Sequence, residues 1–236
     1  MIAELPPQTE LDPEFAGALK FLRQPELGRA WGGPMNGQRW RCLMFAELVH
    51  KTAAKAIIET GTYLGTTTEW LTAFQLPVFT CEALPENYGF AKTRLQAVPN
   101  VRVLQADSRA FLAQLLAGPF GTGPNLFYLD AHWDDDLPLA EELEIIFGQA
   151  PGSVVVIDDF EVPGDPGYGF DDYGDGKALN AAYISGIAER FKLQIYYPTT
   201  PSASETGALR GCVVLADRRL SDVSLLRPSQ TAGLEI

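Results

Sequence analysis

The sequence of 236 residues predicts one α/β domain in which a mostly parallel, doubly wound sheet carries helices on both faces. Short apolar runs alternate with helix-compatible segments along most of the chain. Two of these runs, 125–129 and 153–157, are continuously apolar, as strands buried on both faces are. Three successive earlier runs end in or just before an acid, at Glu59, Glu82 and Asp107. Acids at successive strand ends indicate a ligand site at the carboxyl edge of the sheet.

The first part of the chain, residues 1–38, is predicted to form an N-terminal arm or lid. It is rich in Pro, Gly and acids, and only one short helix is expected in it, near Pro13–Arg23. A second helix is expected over Gln38–Thr52, where large apolar residues recur at helical spacing. The rest of the chain, residues 39–236, is predicted to be a single domain.

The first strand, Lys55–Glu59, leads into a loop with two glycines four residues apart. Gly61 and Gly65 permit a left-handed backbone and let the chain approach a bound molecule closely. Thr66 and Thr67 follow, and they suit the start of a helix whose free N–H groups face the ligand. This strand–loop–helix pattern predicts a binding loop.

Strands and helices then alternate as far as the last strand, each by the same apolar periodicity. Asp107 or Ser108 also suits the cap of the helix that follows the third strand. Two long polar loops, 161–176 and 198–210, are interpreted as a lid and a pocket wall, or simply as surface loops. The remaining helices are expected over Thr67–Phe74, Glu86–Ala97, Arg109–Leu116, Leu137–Phe147 and Lys177–Phe191, and the remaining strands at 78–82, 101–107, 193–197 and 211–216.

The stretch from Glu59 to Ser108 resembles the cofactor half of the class I S-adenosylmethionine-dependent methyltransferases. Glu59, Gly61 and Gly65 match the first motif of that family, Glu82 matches its ribose-binding acid, and Asp107 matches its adenine-side acid. The resemblance implies a Rossmann-like sheet of seven strands with an antiparallel last strand. It also implies that S-adenosylmethionine binds to Glu59, Gly61, Thr62, Tyr63, Gly65, Thr66, Thr67, Glu82, Asp107 and Ser108.

The loop differs from the dinucleotide fingerprint G-x-G-x-x-G, because its glycines are spaced G-x-x-x-G. Acids surround it and no base lies nearby in sequence, which favours a sulfonium cation over a pyrophosphate. Three alternatives stay open at this point. They are an NAD-dependent oxidoreductase, a non-catalytic cofactor-binding protein, and a hydroxylase-like protein on the same scaffold.

Carboxylates also follow the fourth and fifth strands, at Asp130, Asp158 and Asp159. Neighbouring strand ends bring such side chains together, and close carboxylates must take up protons, cations or a metal. Oxygen-only ligation suits Mg²⁺. In layout the chain is similar to the metal-dependent small-molecule and sugar O-methyltransferases, and this resemblance implies a metal held by these three residues.

His132 stands where those sugar O-methyltransferases have the second acid of a D-x-D pattern. An imidazole is a suitable general base at neutral pH, so His132, with Asp130, is the predicted catalytic group. The alternative is that His132 hydrogen-bonds a carboxylate and holds the loop. His50 is interpreted as structural, Asp136 as a helix cap, and Asp134 and Asp135 as solvated.

Composition narrows the class of protein further. The net charge is −12, from 30 acids and 18 bases, which argues against a nucleic-acid partner. Three cysteines without a CxxC pattern indicate reduced thiols. The sequence shows no signal peptide or membrane span, so we expect a cytoplasmic enzyme. The expected partner is a small-molecule acceptor, and a homodimer is possible.

Overall fold

The structure is a computed structural model that describes residues 11–132 and 136–229. One sheet of eight strands has the order β3-β2-β1-β4-β5-β7-β6-β8. Strands β1 to β5 are parallel, and β7 is antiparallel to both of its neighbours. The strands are β1 Ile57–Thr60, β2 Val78–Glu82, β3 Val101–Gln105, β4 Leu126–Leu129, β5 Val154–Asp158, β6 Gln194–Pro198, β7 Cys212–Ala216 and β8 Leu226–Pro228.

The predicted Rossmann-like, mostly parallel sheet is confirmed, but the expected count of seven strands is wrong. The eighth strand, Leu226–Pro228, pairs antiparallel with β6. It has three residues and ends in a proline, so it is too short to show the alternation by which strands are recognised in a sequence. It also makes the last strand an addition beyond the antiparallel β7.

Helices cover both faces of the sheet, as a parallel sheet requires. Along β4 the side chains alternate, so that Phe127 and Leu129 belong to one buried cluster and Leu126 and Tyr128 to the other. Among residues 11–132 and 136–229, no helix is long and apolar enough to cross a membrane. The helices are α1 Pro13–Arg23, α2 Arg39–Thr52, α3 Thr66–Leu71, α4 Pro85–Leu95, α5 Ser108–Leu116, α6 Leu139–Gln149 and α7 Ala181–Phe191.

Side-chain caps explain where several helices begin. Asp12 accepts a hydrogen bond from the Phe15 amide at 3.2 Å, and Pro13 occupies the first turn of α1. Asn180 accepts from the Tyr183 amide at 3.1 Å, so α7 begins four residues later than the sequence pattern suggested.

The N-terminal segment packs on the main body of the protein through α1 and α4. Phe21 and Phe90 meet edge to face at 5.2 Å, and Lys20 pairs with Glu86 at 2.7 Å. The backbones of the two helices touch at glycine: a Cβ on Gly89 would lie 1.9 Å from the Glu14 carbonyl oxygen. Only glycine permits this helix–helix distance.

We therefore expect Gly89→Ala to lower the free energy of unfolding by about 1–3 kcal/mol, because the added methyl group forces the helices apart. Gly186→Ala is the matched control, since a Cβ at this exposed position of α7 meets nothing within 4 Å. That change should leave stability equal or raise it by about 0.5–1 kcal/mol through helix propensity. Urea unfolding followed by circular dichroism measures both, and equal stabilities would contradict the close contact.

Candidate active site

The glycine loop lies directly against the strand end that carries Asp130. Gly61 and Gly65 have left-handed backbones, with φ of 85° and 78°. A Cβ on Gly61 would stand 2.2 Å from the Asp130 carbonyl oxygen. The position thus needs glycine both for its backbone angle and for this approach. As a result, the predicted donor loop and the predicted catalytic residues share one edge of the sheet.

Glu59 lies beneath this loop and is 1% exposed. Its Oε2 accepts hydrogen bonds from the hydroxyls of Thr68 at 2.5 Å and Thr80 at 2.6 Å. The hydroxyl of Thr62 lies 2.6 Å from that of Thr80 and extends the network into the loop. Burial raises the pKa of Glu59 to about 8. In this structure Glu59 braces the loop from below.

Glu82, at the end of β2, connects the glycine loop to the turn before α4. Its Oε2 accepts from the Tyr63 amide at 2.7 Å, and its Oε1 accepts from the Leu84 amide at 2.9 Å. Burial raises the pKa of Glu82 although these amides favour the charged form. Each carboxylate oxygen keeps a second lone pair, which is available to a hydroxyl donor such as a ribose.

Asp107 and Ser108 lie at the start of α5. Asp107 caps the helix by accepting from the amides of Arg109 and Ala110, and it also pairs with the Arg109 guanidinium at 2.6 Å. The hydrogen bond from Arg109 lowers the pKa of Asp107. Ser108 is buried. The cap that the sequence suggested as an alternative role for Asp107 is therefore present.

The expectation that Asp136 caps the next helix is wrong. That helix begins at Leu139 with Pro138 at the cap position and without a capping side chain. Asp136 instead pairs with Arg109 at 2.7 Å. The predictions for Asp134 and Asp135 lie outside the described residues.

Thr66 and Thr67 contact the N-terminal segment. The Thr66 hydroxyl donates to the Gly28 carbonyl oxygen, and the Thr67 hydroxyl accepts from the Met35 amide at 3.0 Å. Arg94 also donates to the Gly28 carbonyl oxygen, at 2.8 Å. Two 3₁₀ turns of this segment, Pro25–Gly32 and Pro34–Gly37, are thereby fixed beside the start of α3.

Asp158 does not join the predicted metal ligands. It is fully buried, forms an ion pair with Arg41, and accepts from the Tyr128 hydroxyl and from Asn36 Nδ2 at 3.1 Å. Successive side chains of a strand point to opposite faces, so Asp158 and Asp159 separate. The expected set of Asp130, Asp158 and Asp159 is corrected accordingly.

The group that does come together is Asp130, His132 and Asp159, whose ligand atoms lie within 4.8 Å of one another. His132 Nε2 is 3.9 Å from Asp130 Oδ1 and 3.9 Å from Asp159 Oδ2. The imidazole is buried, and among the described residues its Nε2 has no hydrogen-bond partner. A hydrogen bond needs about 3.2 Å or less, so a gap remains between these atoms.

The charges in this group shift its proton affinities. Burial, followed by the negative charge of Asp159, raises the pKa of Asp130 to about 7. Burial opposes a charged imidazole, but the carboxylates of Asp159 and Asp130 outweigh it and raise the pKa of His132. Burial also opposes a charged Asp159, but hydrogen bonds from His132 and Arg210 lower the pKa of that carboxyl. The group can therefore exchange a proton near neutral pH.

Arg210 and Asp171 are site residues that the sequence analysis missed. Arg210 Nε donates to Asp159 Oδ1 at 2.5 Å, and its Nη2 donates to Asp171. Tyr173 donates to Asp171 Oδ2 at 2.7 Å and contacts the His132 carbonyl oxygen at 3.3 Å. These residues come from the two long polar loops, and their residue types form no motif. The only signal was a lone arginine before an apolar strand.

Because Arg41 and Asp158 are 2% and 0% exposed, we expect Asp158→Ala to lower the free energy of unfolding by about 3–5 kcal/mol. The change leaves a buried guanidinium without its counter-charge. Glu144→Gln removes an exposed partner of Arg190 and should cost less than about 1 kcal/mol. Urea unfolding compares the two, and similar losses would show that the buried pair is not a structural requirement.

Comparisons with known proteins bear on the fold. No protein-family model matches this sequence, and no curated protein matches it significantly. An O-methyltransferase from Bacillus cereus, solved in complex with SAH (S-adenosylhomocysteine), has a TM-score of 0.56 at 20% identity over 90% of this chain and 93% of its own. A Klebsiella pneumoniae protein assigned as an O-methyltransferase has a TM-score of 0.53 at 20% identity, over 91% of this chain and 93% of its own.

A third structure is a Staphylococcus aureus protein assigned as a caffeoyl-CoA O-methyltransferase. It has a TM-score of 0.56 at 13% identity, over 86% of this chain and 97% of its own. Likeness at these identities is likeness of fold. The chain has the Rossmann-like α/β fold of class I O-methyltransferases.

Proposed function

We propose that this protein is an S-adenosylmethionine-dependent methyltransferase that methylates a hydroxyl group of a small molecule with help from a divalent metal. The observation that carries the proposal is the contact of Gly61 with the Asp130 carbonyl. It puts a loop suited to the methyl donor beside a group of carboxylates and an imidazole. The fold shared with O-methyltransferases supports the same conclusion.

On the donor side, Glu82 would hold the ribose, and the loop from Gly61 to Gly65 would hold the amino-acid end above Glu59. Thr62, Tyr63, Thr66 and Thr67 would shape the loop, and Asp107 with Ser108 would flank the adenine. Glu59 and Glu82 accept hydrogen bonds from hydroxyls and backbone amides, so no arginine or lysine neutralises them through those contacts. A sulfonium cation suits such surroundings better than a pyrophosphate does.

On the acceptor side, methyl transfer needs the acceptor oxygen in line with the methyl group and the loss of one proton. Asp130 and His132 lie at the edge that Gly61 approaches, and His132 is made more basic by two carboxylates. His132 would take the acceptor proton at Nε2, and Asp130 and Asp159 would stabilise the imidazolium that results.

The residues present also fit a divalent cation, because the buried Nε2 of His132 is unpartnered within the described residues and faces two carboxylates. Asp130, His132 and Asp159 would hold such an ion. When bound, it would supply Lewis acidity that lowers the pKa of a hydroxyl. A single Nε2 cannot both bind a metal and accept a proton, so the two roles of His132 exclude each other.

The donor site is tested by Glu82→Ala, which should weaken SAH binding at least about tenfold, because a bidentate charge-assisted contact is lost. Glu86→Ala is the control, since Glu86 is exposed on α4 and pairs only with Lys20 in the contacts described. Isothermal titration calorimetry measures both. Binding of NAD in place of SAH by the unchanged protein would reject the methyltransferase and favour an oxidoreductase.

The acceptor side is tested by His132→Ala, which should lower turnover by roughly 10²–10⁴ while SAH affinity stays the same. Turnover is measured as SAH formed from S-adenosylmethionine with a panel of sugars, polyols and phenols. His50→Ala, on the exposed side of α2, should leave the rate unchanged. A His132→Ala protein as active as the unchanged protein would remove His132 from the mechanism.

A further inference from the structure

The ligand atoms at the acidic edge are not the three carboxylates that the sequence suggested. Asp158 is committed to Arg41, Tyr128 and Asn36, and it is fully buried on the other side of β5. A cation drawn to this edge would therefore meet two carboxylates and one imidazole nitrogen. That set has mixed oxygen and nitrogen donors, in contrast to an all-oxygen site.

His132 is prepared as a ligand rather than as a partner in a hydrogen bond. Its side chain is 2% exposed, and Nε2 lies equally far, 3.9 Å, from one oxygen of each carboxylate. A buried ring nitrogen without a partner is costly, and such a group in a folded protein needs an explanation. Two atoms that bind one ion at about 2.1 Å each are at most about 4.2 Å apart, so 3.9 Å suits a shared ion.

Asp159 is oriented for the same purpose. Arg210 Nε occupies its Oδ1 at 2.5 Å, and this leaves Oδ2 directed at the imidazole. Asp159 also has a left-handed backbone, with φ of 51°, which is unusual for a residue other than glycine. Its amide donates to Asp158 Oδ1 at 2.8 Å, so the buried ion pair below helps to hold this conformation. Such supporting contacts are typical of metal sites.

The imidazole is fixed from its own backbone. Tyr173 contacts the His132 carbonyl oxygen at 3.3 Å and is itself bound to Asp171, which Arg210 holds. Arg210 also supplies a positive charge against Asp159 and Asp171. The local charge is thus modest, and a site of modest charge depends on donor type more than on electrostatic attraction for its affinity.

From these observations we propose that Asp130 Oδ1, His132 Nε2 and Asp159 Oδ2 bind a divalent first-row transition ion in preference to Mg²⁺. Imidazole favours such ions, whereas Mg²⁺ prefers oxygen ligands and gives up water reluctantly. His132 is then a ligand and leaves proton removal to another group. The inference rests on the proposed function for the role of the ion, while the ligand set stands on the geometry alone.

The test uses Mn²⁺ and Mg²⁺ with the full-length protein after treatment with EDTA. Loss of the electron paramagnetic resonance signal of free Mn²⁺ counts the bound ions, and calorimetry gives the affinity. We expect one Mn²⁺ per chain, with Mg²⁺ competing at least about tenfold more weakly. His132→Ala and Asp159→Asn should each weaken Mn²⁺ binding at least tenfold. Asp172→Asn, an exposed acid in the same loop that binds the Gly174 amide, is the control and should bind normally.

A second variant, His132→Asp, converts the site to oxygen donors without removing a ligand. It should reduce the preference for Mn²⁺ over Mg²⁺ at least threefold, and this outcome does not depend on the stability of the alanine variant. Equal affinity of the unchanged protein for the two ions, or Mn²⁺ binding that survives both His132 changes, would overturn the proposal.

SAH binding, measured on the same samples, separates this inference from the proposed function. SAH binding without Mn²⁺ binding would overturn the metal site and leave His132 as the base of a metal-independent methyltransferase. Mn²⁺ binding without SAH binding would support the metal site and overturn the methyltransferase.

Discussion

The parallel pairing of β1 with β4 is the constraint on which the candidate site depends. Thr60 stands opposite Leu129, and the Asp130 amide donates to the Thr60 carbonyl oxygen at 3.0 Å. Both chains leave the sheet at the same level, so the turn at Gly61 has to pass against Asp130. A side chain at position 61 would separate the donor loop from the carboxylates. The register of two strands thereby determines how close a methyl donor and its acceptor can lie.

The excess of acids at this edge is handled in two ways. Some carboxylates are paired with arginine: Asp158 with Arg41, Asp159 with Arg210, and Asp107 with Arg109. Others are buried and have raised pKa values, at Glu59, Glu82 and Asp130. The second group surrounds the glycine loop and its neighbouring strand end. A cationic donor and a metal ion would each stabilise the charged forms of these residues, which gives the two proposed ligands a common electrostatic basis.

The N-terminal segment connects the two halves of the site. Met35 contacts the start of α3 through Thr67, while Gln38 exchanges two hydrogen bonds with Arg210, at 2.9 and 2.8 Å. The same segment supplies Asn36 to Asp158. An arm or lid was expected from composition alone, and these contacts show that residues 35–38 bridge the donor helix and the residue that orients Asp159.

The sequence by itself determined the alternation of strands and helices, the glycine loop and the strand-end acids, because apolar periodicity and glycine are local properties of the chain. It also determined that Asp130 and Asp159 would lie close together, since parallel strands end at one edge. Tertiary structure alone decided that Asp158 turns away to Arg41, that His132 replaces it, and that Arg210 orients Asp159. These outcomes depend on which face a side chain takes and on partners more than 50 residues away in the chain for Arg210, and more than 100 for Arg41. No local pattern encodes such contacts, and for the same reason the three-residue β8 was missed.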